Sequence, residues 1–481
     1  ASTRRSGPQR QSGSQLQNGQ QRQNGQQRQS GSQRRSGQHL QNGQQRQSGP
    51  QRRDGSQLRS IAAALDTRKG YYLAFTLLFA VTAAVSYLLL FRDGLSFTWS
   101  TDGATQHMPA LLYLRDWVSR ALQSLFQGSP ALPTWDMSMG LGSDMIVTLS
   151  HYGLGDVLNL LALALPREQV GVAFTGIALL RLYLSGVSFS AFARHFKLRG
   201  YAVLTAALLY AFSGFSLFMV LRHPHFIGAL LYLPLICLGA ELVLEKRSPV
   251  LFIVSFWLMF CANFYLSYMV FVYAVGYVIC RLCMRGGLTA KDVARIALKF
   301  FGCGIAAACL ASPILLPTVA GVMDSSRGAS GSFVPPLYKG SYYLELLPTL
   351  STLGFAGAQC YVGVTQFGVL ALFFLFLQDG RKARVLKVAC VLVVASVLVP
   401  WAGHAMNGFT YAANRHSFGL VFILCGLVAW LLPRLLCASG AQLRSLGVVS
   451  AAYALGLVAS AAFSIAGGDA QGNFGDLGPL L

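Results

Sequence analysis

Residues 71–91 read "YYLAFTLLFAVTAAVSYLLLF", a run of apolar and weakly polar side chains without a single charge. As an α-helix this run is about 31 Å long, enough to cross the hydrocarbon core of a bilayer. We therefore predict that it is the first transmembrane helix.

The composition of the whole chain agrees with a membrane protein. Hydrophobic residues make up 54% of the 481 residues and charged residues only 11%, whereas soluble domains contain roughly 25% charged residues. The sequence predicts an all-α polytopic protein with about eleven transmembrane helices. The further candidates are approximately 170–192, 201–221, 226–244, 250–265, 266–282, 298–320, 363–378, 386–402, 417–436 and 445–466.

Basic residues indicate how the chain is oriented, because cytoplasmic loops are enriched in Lys and Arg. The Lys- and Arg-rich segments fall in alternate loops, at 68–69, 194–199, 245–247, 281–299 and 381–387. The loops expected outside are 92–169, 222–225, 321–362 and 403–416. This alternation predicts a multi-pass membrane protein with a cytoplasmic N terminus.

The N-terminal segment 1–69 is predicted to be a disordered cytoplasmic tail. It is rich in Gln, Arg, Ser and Gly, carries 13 Arg or Lys against 2 Asp, and repeats "LQNGQQRQ" at 16–23 and 40–47. Such a segment has too few apolar side chains to form a core. Its charge favours either attraction to anionic lipid or a simple solvated extension; nucleic acid is not expected, since no aromatic side chain lies among the arginines.

The remainder divides into a membrane domain, 70–466, and a C-terminal end, 467–481, which we expect to be truncated because it directly follows an apolar segment. The first outer loop of that domain, 92–169, is too long for a linker. Residues 105–126 have the pattern of an amphipathic helix lying at the membrane surface. Residues 157–165 are apolar but too few to span, which indicates an interfacial or re-entrant segment.

The same loop contains candidate site residues close to apolar runs. Asp102 has three possible roles: an N-cap for the helix that follows, a catalytic carboxylate or an ion-coupling site. Polar and aromatic candidates for binding a substrate follow it in the motifs "TDGATQHMPALLYLRD" and "LPTWDMSMGLGSDMIVTLSHY": Gln106, His107, Trp135, Asp136, His151 and Tyr152.

Two later outer segments contribute further candidates. "LRHPHF", at 221–226, contains Arg222 and two histidines, and "WAGHAMNGFTYAANRHSF", at 401–418, contains Asn414 and Arg415. An arginine at the outer face opposes the charge bias of membrane proteins, so an anionic ligand is a good reason for it. No metal or other cofactor is predicted, because the histidines lack metal-ligand spacing and an accompanying carboxylate.

These motifs, together with "GDVLNLL" and "MNGFTYAANRHSF", resemble the YfhO family of bacterial membrane proteins, which belongs with the GT-C glycosyltransferases. The resemblance covers about residues 71–466 and implies a location in the bacterial plasma membrane. It implies a GT-C-like helix bundle that transfers a sugar from a polyprenyl-phosphate donor to an envelope acceptor such as lipoteichoic acid. It further implies that Asp102 is the base and that Arg415, with Arg222, binds the lipid phosphate.

Two alternatives compete with this hypothesis. A transporter or flippase of a lipid-linked precursor would also have many helices, but the spans show no clear internal repeat. They also offer few candidates for ion coupling, namely Arg181 and Asn263. A noncatalytic anchoring protein would explain the basic tail but not the polar first loop.

Overall fold

The computed structural model describes residues 60–466 except 95, 325–332 and 353. The predicted C-terminal end and residues 1–59 of the predicted tail lie outside the described residues. Residues 60–66 form a helix inside the stretch predicted to be disordered. They are held against the loop at 199–200, because the Asp66 carboxylate accepts a 2.7 Å hydrogen bond from the Gly200 amide.

The described part is helical, which confirms the predicted all-α fold. Its α-helices are α1 (Arg68–Arg92), α2 (Met108–Phe126), α3 (Met145–Leu149), α4 (Val170–His195), α5 (Gly200–Ala211), α6 (Gly214–Arg222), α7 (Gly228–Leu244), α8 (Val250–Ala262), α9 (Phe264–Arg285), α10 (Ala290–Met323), α11 (Gly340–Ser351), α12 (Thr365–Phe376), α13 (Arg381–Leu398), α14 (Pro400–Met406), α15 (Phe418–Leu435) and α16 (Gly440–Ile465).

Shorter elements connect these helices. A π-helical turn covers Gly103–His107, and 3₁₀ turns cover Ser150–Tyr152, Val157–Ala164, Arg167–Gln169, Pro224–Ile227 and Arg415–Ser417. Two antiparallel pairs of two-residue strands complete the secondary structure of the described residues: β1 (Trp135–Asp136) with β2 (Ser143–Asp144), and β3 (Phe355–Ala356) with β4 (Cys360–Tyr361).

Each of the eleven predicted spans overlaps at least one helix, although several differ from a single straight crossing. Eight helical segments of the described chain are long and apolar enough to cross a membrane, and α8 and α12 are shorter apolar helices. Two helix pairs are bent by 93°, α13 with α14 and α3 with the 3₁₀ segment Val157–Ala164. The second pair contains the stretch 157–165 predicted to be interfacial or re-entrant, and we call Met145–Ala164 the re-entrant segment after that prediction. Its course through the membrane and the number of crossings stay predictions.

The core lies where α4, α5, α7 and α15 pack together. Phe189 of α4 stacks on Tyr210 of α5 at a ring distance of 4.8 Å, and Phe422 of α15 contacts both rings. By contrast, α1, α10 and α16 lie at the periphery and expose apolar side chains along their length. An apolar side chain is stable in such positions when lipid surrounds it.

The re-entrant segment is fixed to the core by a buried ion pair. Arg181 of α4 donates hydrogen bonds of 2.7 and 3.1 Å to Asp156 and one of 2.7 Å to Asn159. The Asp156 carboxylate also accepts from the Leu158 amide and so caps the 3₁₀ segment. This pairing gives Arg181, predicted as an isolated polar group within a span, a structural partner.

Candidate functional site

Asp102 lies at the start of the π-helical turn, where its side chain forms no capping hydrogen bond. Instead one carboxylate oxygen accepts a 3.0 Å hydrogen bond from the Gln106 amide, four residues later. The Gln106 oxygen in turn accepts a 2.6 Å hydrogen bond from the Tyr152 hydroxyl. The two bonds orient the carboxylate from the re-entrant segment, and the N-cap explanation of Asp102 has no bond to support it.

Four histidine side chains gather beside this chain of hydrogen bonds. The ring of His107 lies 5.1 Å from that of His223 and 4.9 Å from that of His225, and His151 lies 5.5 Å from His225. Between His107 and His223 the facing ring nitrogens, Nε2 and Nδ1, are 3.4 Å apart. We call these four residues the histidine cluster.

Local sequence explains how these rings come together. His223 directly follows α6, and Pro224 starts the 3₁₀ turn that contains His225. Both imidazoles therefore belong to one tight connection between helices. His151 is held from another helix, since the Asn263 amide donates a 3.0 Å hydrogen bond to the His151 carbonyl. Asn263 also caps α9 through the Leu266 amide, which fixes the Asn263 side chain itself.

Two arginines border the histidine cluster. The Arg222 guanidinium lies over the Trp99 ring at 4.3 Å and over the Phe218 ring at 4.8 Å. Arg415 donates a 2.5 Å hydrogen bond to Gln359 and lies 5.5 Å from the Tyr265 ring. Within the described residues no carboxylate forms a salt bridge with Arg415, so its charge is available to an anion.

Burial keeps the imidazoles of His107 and His223 neutral. It lowers the pKa of His107 to about 4, although the nearby Asp102 carboxylate acts in the opposite direction. Burial likewise lowers the pKa of His223 to about 3, helped by His107 and by the positive charges of Arg415 and Arg222. The buried Nδ1 of His107 and Nε2 of His225 have no hydrogen-bond partner among the described residues, and such atoms are ready to bind a polar ligand.

The histidine cluster is not arranged as a metal site. In the described ranges, the one group of three or more residues whose potential ligand atoms all lie within 4.8 Å of one another is His195, Glu241 and Glu245. These residues lie at the C-terminal ends of α4 and α7. There the Glu241 carboxylate is already bound by Arg281, at 2.5 and 2.8 Å, and by the Tyr277 hydroxyl. That group therefore has the character of an ion-pair network.

Three predicted site residues lie elsewhere. Trp135 and Asp136 belong to the β1–β2 hairpin, where Asp136 accepts hydrogen bonds from Tyr113 and from Ser138. Asn414 is fully buried, and its amide donates to the Tyr342 hydroxyl and the Val397 carbonyl. These bonds give the Asp136 and Asn414 side chains partners within the protein, whereas the Trp135 ring is 61% exposed. That these three residues bind a substrate stays a prediction.

The structure also brings to the site residues that were not among the candidates predicted from the sequence. Tyr265 lies in "NFYLSY", a partly polar stretch that interrupts an apolar run, and this interruption was the sign in the sequence that the position is unusual. The Tyr265 hydroxyl forms hydrogen bonds with Asn407 and Arg415. His223 and His225 were visible in "LRHPHF" but had no partner in sequence. Gln359, in the loop expected outside, carried no signal.

The region of the chain that contains this site also matches a known protein family. The pattern of the family described as bacterial membrane protein YfhO matches residues 74–467. The chain belongs to the YfhO family. Residues 74–467 include the whole histidine cluster, Asp102 and both arginines, so this site lies within the part of the chain that defines the YfhO family. The chain is thus a multi-pass bacterial membrane protein.

A curated YfhO relative agrees with this family. The "Uncharacterized protein YfhO" of Bacillus subtilis (strain 168) is 28% identical over 242 residues, which cover 47% of this chain and 25% of the relative. The match thus spans about a quarter of that relative's length. Its name states no activity.

Proposed function

We propose that this YfhO protein is a membrane glycosyltransferase that moves a sugar from a polyprenyl-phosphate donor to an extracytoplasmic cell-envelope acceptor such as lipoteichoic acid. The main support for this function is the arrangement of charged and polar groups around Asp102. The Asp102 carboxylate, oriented by Gln106 and Tyr152, lies in one electrostatic cluster with His107, His223 and two arginines at a membrane exit.

The chemistry follows from these groups. Asp102 removes the proton of an acceptor hydroxyl, whose oxygen forms a bond to the anomeric carbon of the sugar. The bond from that carbon to the phosphate oxygen breaks, and its electron pair leaves with the lipid phosphate. Arg415, with Arg222 beside it, stabilises the growing negative charge. A single displacement of this kind inverts the anomeric configuration.

The histidine cluster suits the sugar. A neutral imidazole donates one hydrogen bond and accepts another, which matches a hydroxyl group. The lowered pKa values of His107 and His223 keep both rings in this form at neutral pH. The unpartnered nitrogens of His107 and His225 gain partners when hydroxyl groups bind.

The apolar surroundings suit the lipid part of the donor. A cavity of about 210 Å³ lies between the re-entrant segment, α8 and α10, lined by Gly155, Val157, Trp257, Cys261 and Ile314. Cys261 precedes by two residues the Asn263 that holds His151. The lining of this cavity is therefore close in sequence to a residue that holds the histidine cluster. Its apolar side chains suit part of a prenyl chain.

The test supplies membranes containing the protein with radiolabelled polyprenyl-phosphate sugars and follows the label into envelope polymers. We expect transfer by the parent chain, a loss of at least about 100-fold in Asp102→Asn, and parental rates in Asp93→Asn. Asp93 is a matched control because it is an exposed loop carboxylate paired with Arg92. Transfer by Asp102→Asn at the parental rate would exclude Asp102 as the base. Label that changes leaflet without transfer would instead identify a transporter.

A further inference from the structure

Part of the first outer loop, residues 121–166, has a surface without exposed charge. All residues from 121 to 166 are described, and none of the exposed ones is charged. The three aspartates in this range are engaged within the protein: Asp136 with Tyr113, Asp144 as the cap of α3, and Asp156 with Arg181. A segment that faces water usually exposes charged side chains, and this one does not.

The β1–β2 hairpin, residues 135–144, concentrates apolar side chains on this surface. Trp135 is 61% exposed, Met137 69% and Leu141 99%. Asp136 and Met139 point the other way, toward Tyr113 and the small core around Met145. The hairpin thus has one face bound to the protein and one apolar face that no described residue covers.

The turn of the hairpin is built to hold this face in place. Gly142 has a φ of +104°, a conformation that side chains disfavour. A Cβ at this position would lie 2.9 Å from the Met137 sulfur and 3.1 Å from the Trp135 ring. The absence of a side chain at 142 therefore lets Trp135 and Met137 pack over the turn.

The apolar face is continuous with a lipid-facing helix. Val147 of α3, which follows the hairpin, packs so tightly on α10 that a Cβ at Gly321 would lie 2.4 Å from it. Around that point α10 exposes Leu316 and Met323, 65% and 80% accessible. The basic residues of α10, at 291, 295 and 299, lie at its opposite end. The hairpin thus lies at the membrane surface opposite to those basic residues.

We infer that the hairpin 135–144 is a membrane anchor whose Trp135, Met137 and Leu141 insert into the lipid at the boundary of headgroups and acyl chains. Tryptophan favours this region because its ring is apolar and its N–H is polar. The absence of exposed charge removes the main cost of insertion. The inference concerns the bilayer as partner and does not depend on the proposed enzymatic activity.

Bromolipid quenching of tryptophan fluorescence tests this inference. The full chain and Trp135→Phe are reconstituted in phosphatidylcholine and phosphatidylglycerol vesicles, with or without bromine on the acyl chains near the headgroup. The difference between the two proteins reports Trp135. We expect brominated lipid to quench this difference signal by about half, since interfacial segments insert some 5–10 Å, and aqueous iodide to leave it unchanged.

Three outcomes would overturn the inference. Quenching by iodide but not by bromolipid would show a hairpin in water. Quenching by neither would show a hairpin covered by protein, such as a second copy of the chain. A Leu141→Asp variant places a charge on the inserted tip and should abolish the bromolipid effect while the circular dichroism spectrum is unchanged; full quenching in this variant would also contradict the anchor.

Discussion

At the scale of single residues, the site depends on how Asp102 is held. Its carboxylate has one hydrogen bond from Gln106, which is itself bonded to Tyr152 from a distant part of the loop. Composition and spacing suggested all three residues, but the order Tyr152–Gln106–Asp102 arises from the tertiary fold. The sequence left three explanations of Asp102 open, and the structure shows no capping hydrogen bond for one of them, the N-cap.

We predict that Tyr152 acts on the proposed transfer only through Asp102. Tyr152→Phe should lower kcat about tenfold, as expected for the loss of one hydrogen bond to an oriented group, with little change in the KM of the lipid donor. The double variant with Asp102→Asn should be no slower than Asp102→Asn alone, because coupled residues are not additive. The control is Tyr113→Phe, which removes the hydroxyl bonded to Asp136 in the hairpin. Additive losses in the double variant would contradict this role.

The low pKa of His107 predicts a loss of stability in acid. Its folded-state pKa is about 4 against 6.5 for the free side chain. Between these values the unfolded chain binds more protons, so the free energy of unfolding falls as the pH drops from 6.5 toward 4. We expect the thermal midpoint in detergent to fall over this range, and to fall less steeply in His107→Gln. Equal slopes for the two proteins would show that His107 does not titrate in this way.

At the scale of elements, helices formed by long apolar runs were predictable and breaks were not. The span predicted at 201–221 is two helices, α5 and α6, because Gly214 lies against Gly363 and donates to the carbonyls at 362 and 363. The span predicted at 386–402 bends by 93° before Pro400, where proline cannot donate to the helix. Both breaks also have a local cause, since Ser213 caps α6 through the Ser216 amide, but the contact of Gly214 with Gly363 depends on the tertiary fold.

The buried pair of Arg181 and Asp156 should be essential for the position of the re-entrant segment. Arg181→Met leaves Asp156 as an unpaired buried charge, so we expect a loss of about 3–5 kcal/mol in the free energy of unfolding. Arg92→Met breaks the exposed pair with Asp93 and should cost less than about 1 kcal/mol. Thermal unfolding of both variants in the same detergent compares them. Similar losses would show that burial of the Arg181 pair is not important.

At the scale of the whole molecule, composition and apolar runs were sufficient to predict an all-α membrane protein. The site was predictable in part, because polar residues after apolar runs mark membrane exits, as Asp102 and His107 do. The internal partners of Asp136 and Asn414 were less predictable, since nothing in the spacing of a polar residue shows whether its side chain bonds to its own protein. The positions of Tyr265 and Gln359 beside Arg415 depend on contacts between distant helices.

The orientation of the molecule is open to a direct test. The alternation of basic loops places Cys437, which is exposed and follows α15, on the cytoplasmic side. We expect a membrane-impermeant maleimide to label the chain at Cys437 in inverted vesicles but not in intact cells. Cys437→Ser should lose this labelling. Labelling of Cys437 in intact cells would reverse the proposed orientation and place Asp102 inside.

We expect the parent chain itself to couple sugar transfer to release of a lipid phosphate. Purified protein in vesicles, supplied with a polyprenyl-phosphate sugar and an acceptor with free hydroxyl groups, allows both products to be counted. We predict one released polyprenyl phosphate for each glycosylated acceptor with the parent chain, and neither product with Asp102→Asn. Transfer that continues in Asp102→Asn would show that Asp102 is not the base. No transfer by a folded parent chain that binds the donor would show that the protein is not this glycosyltransferase.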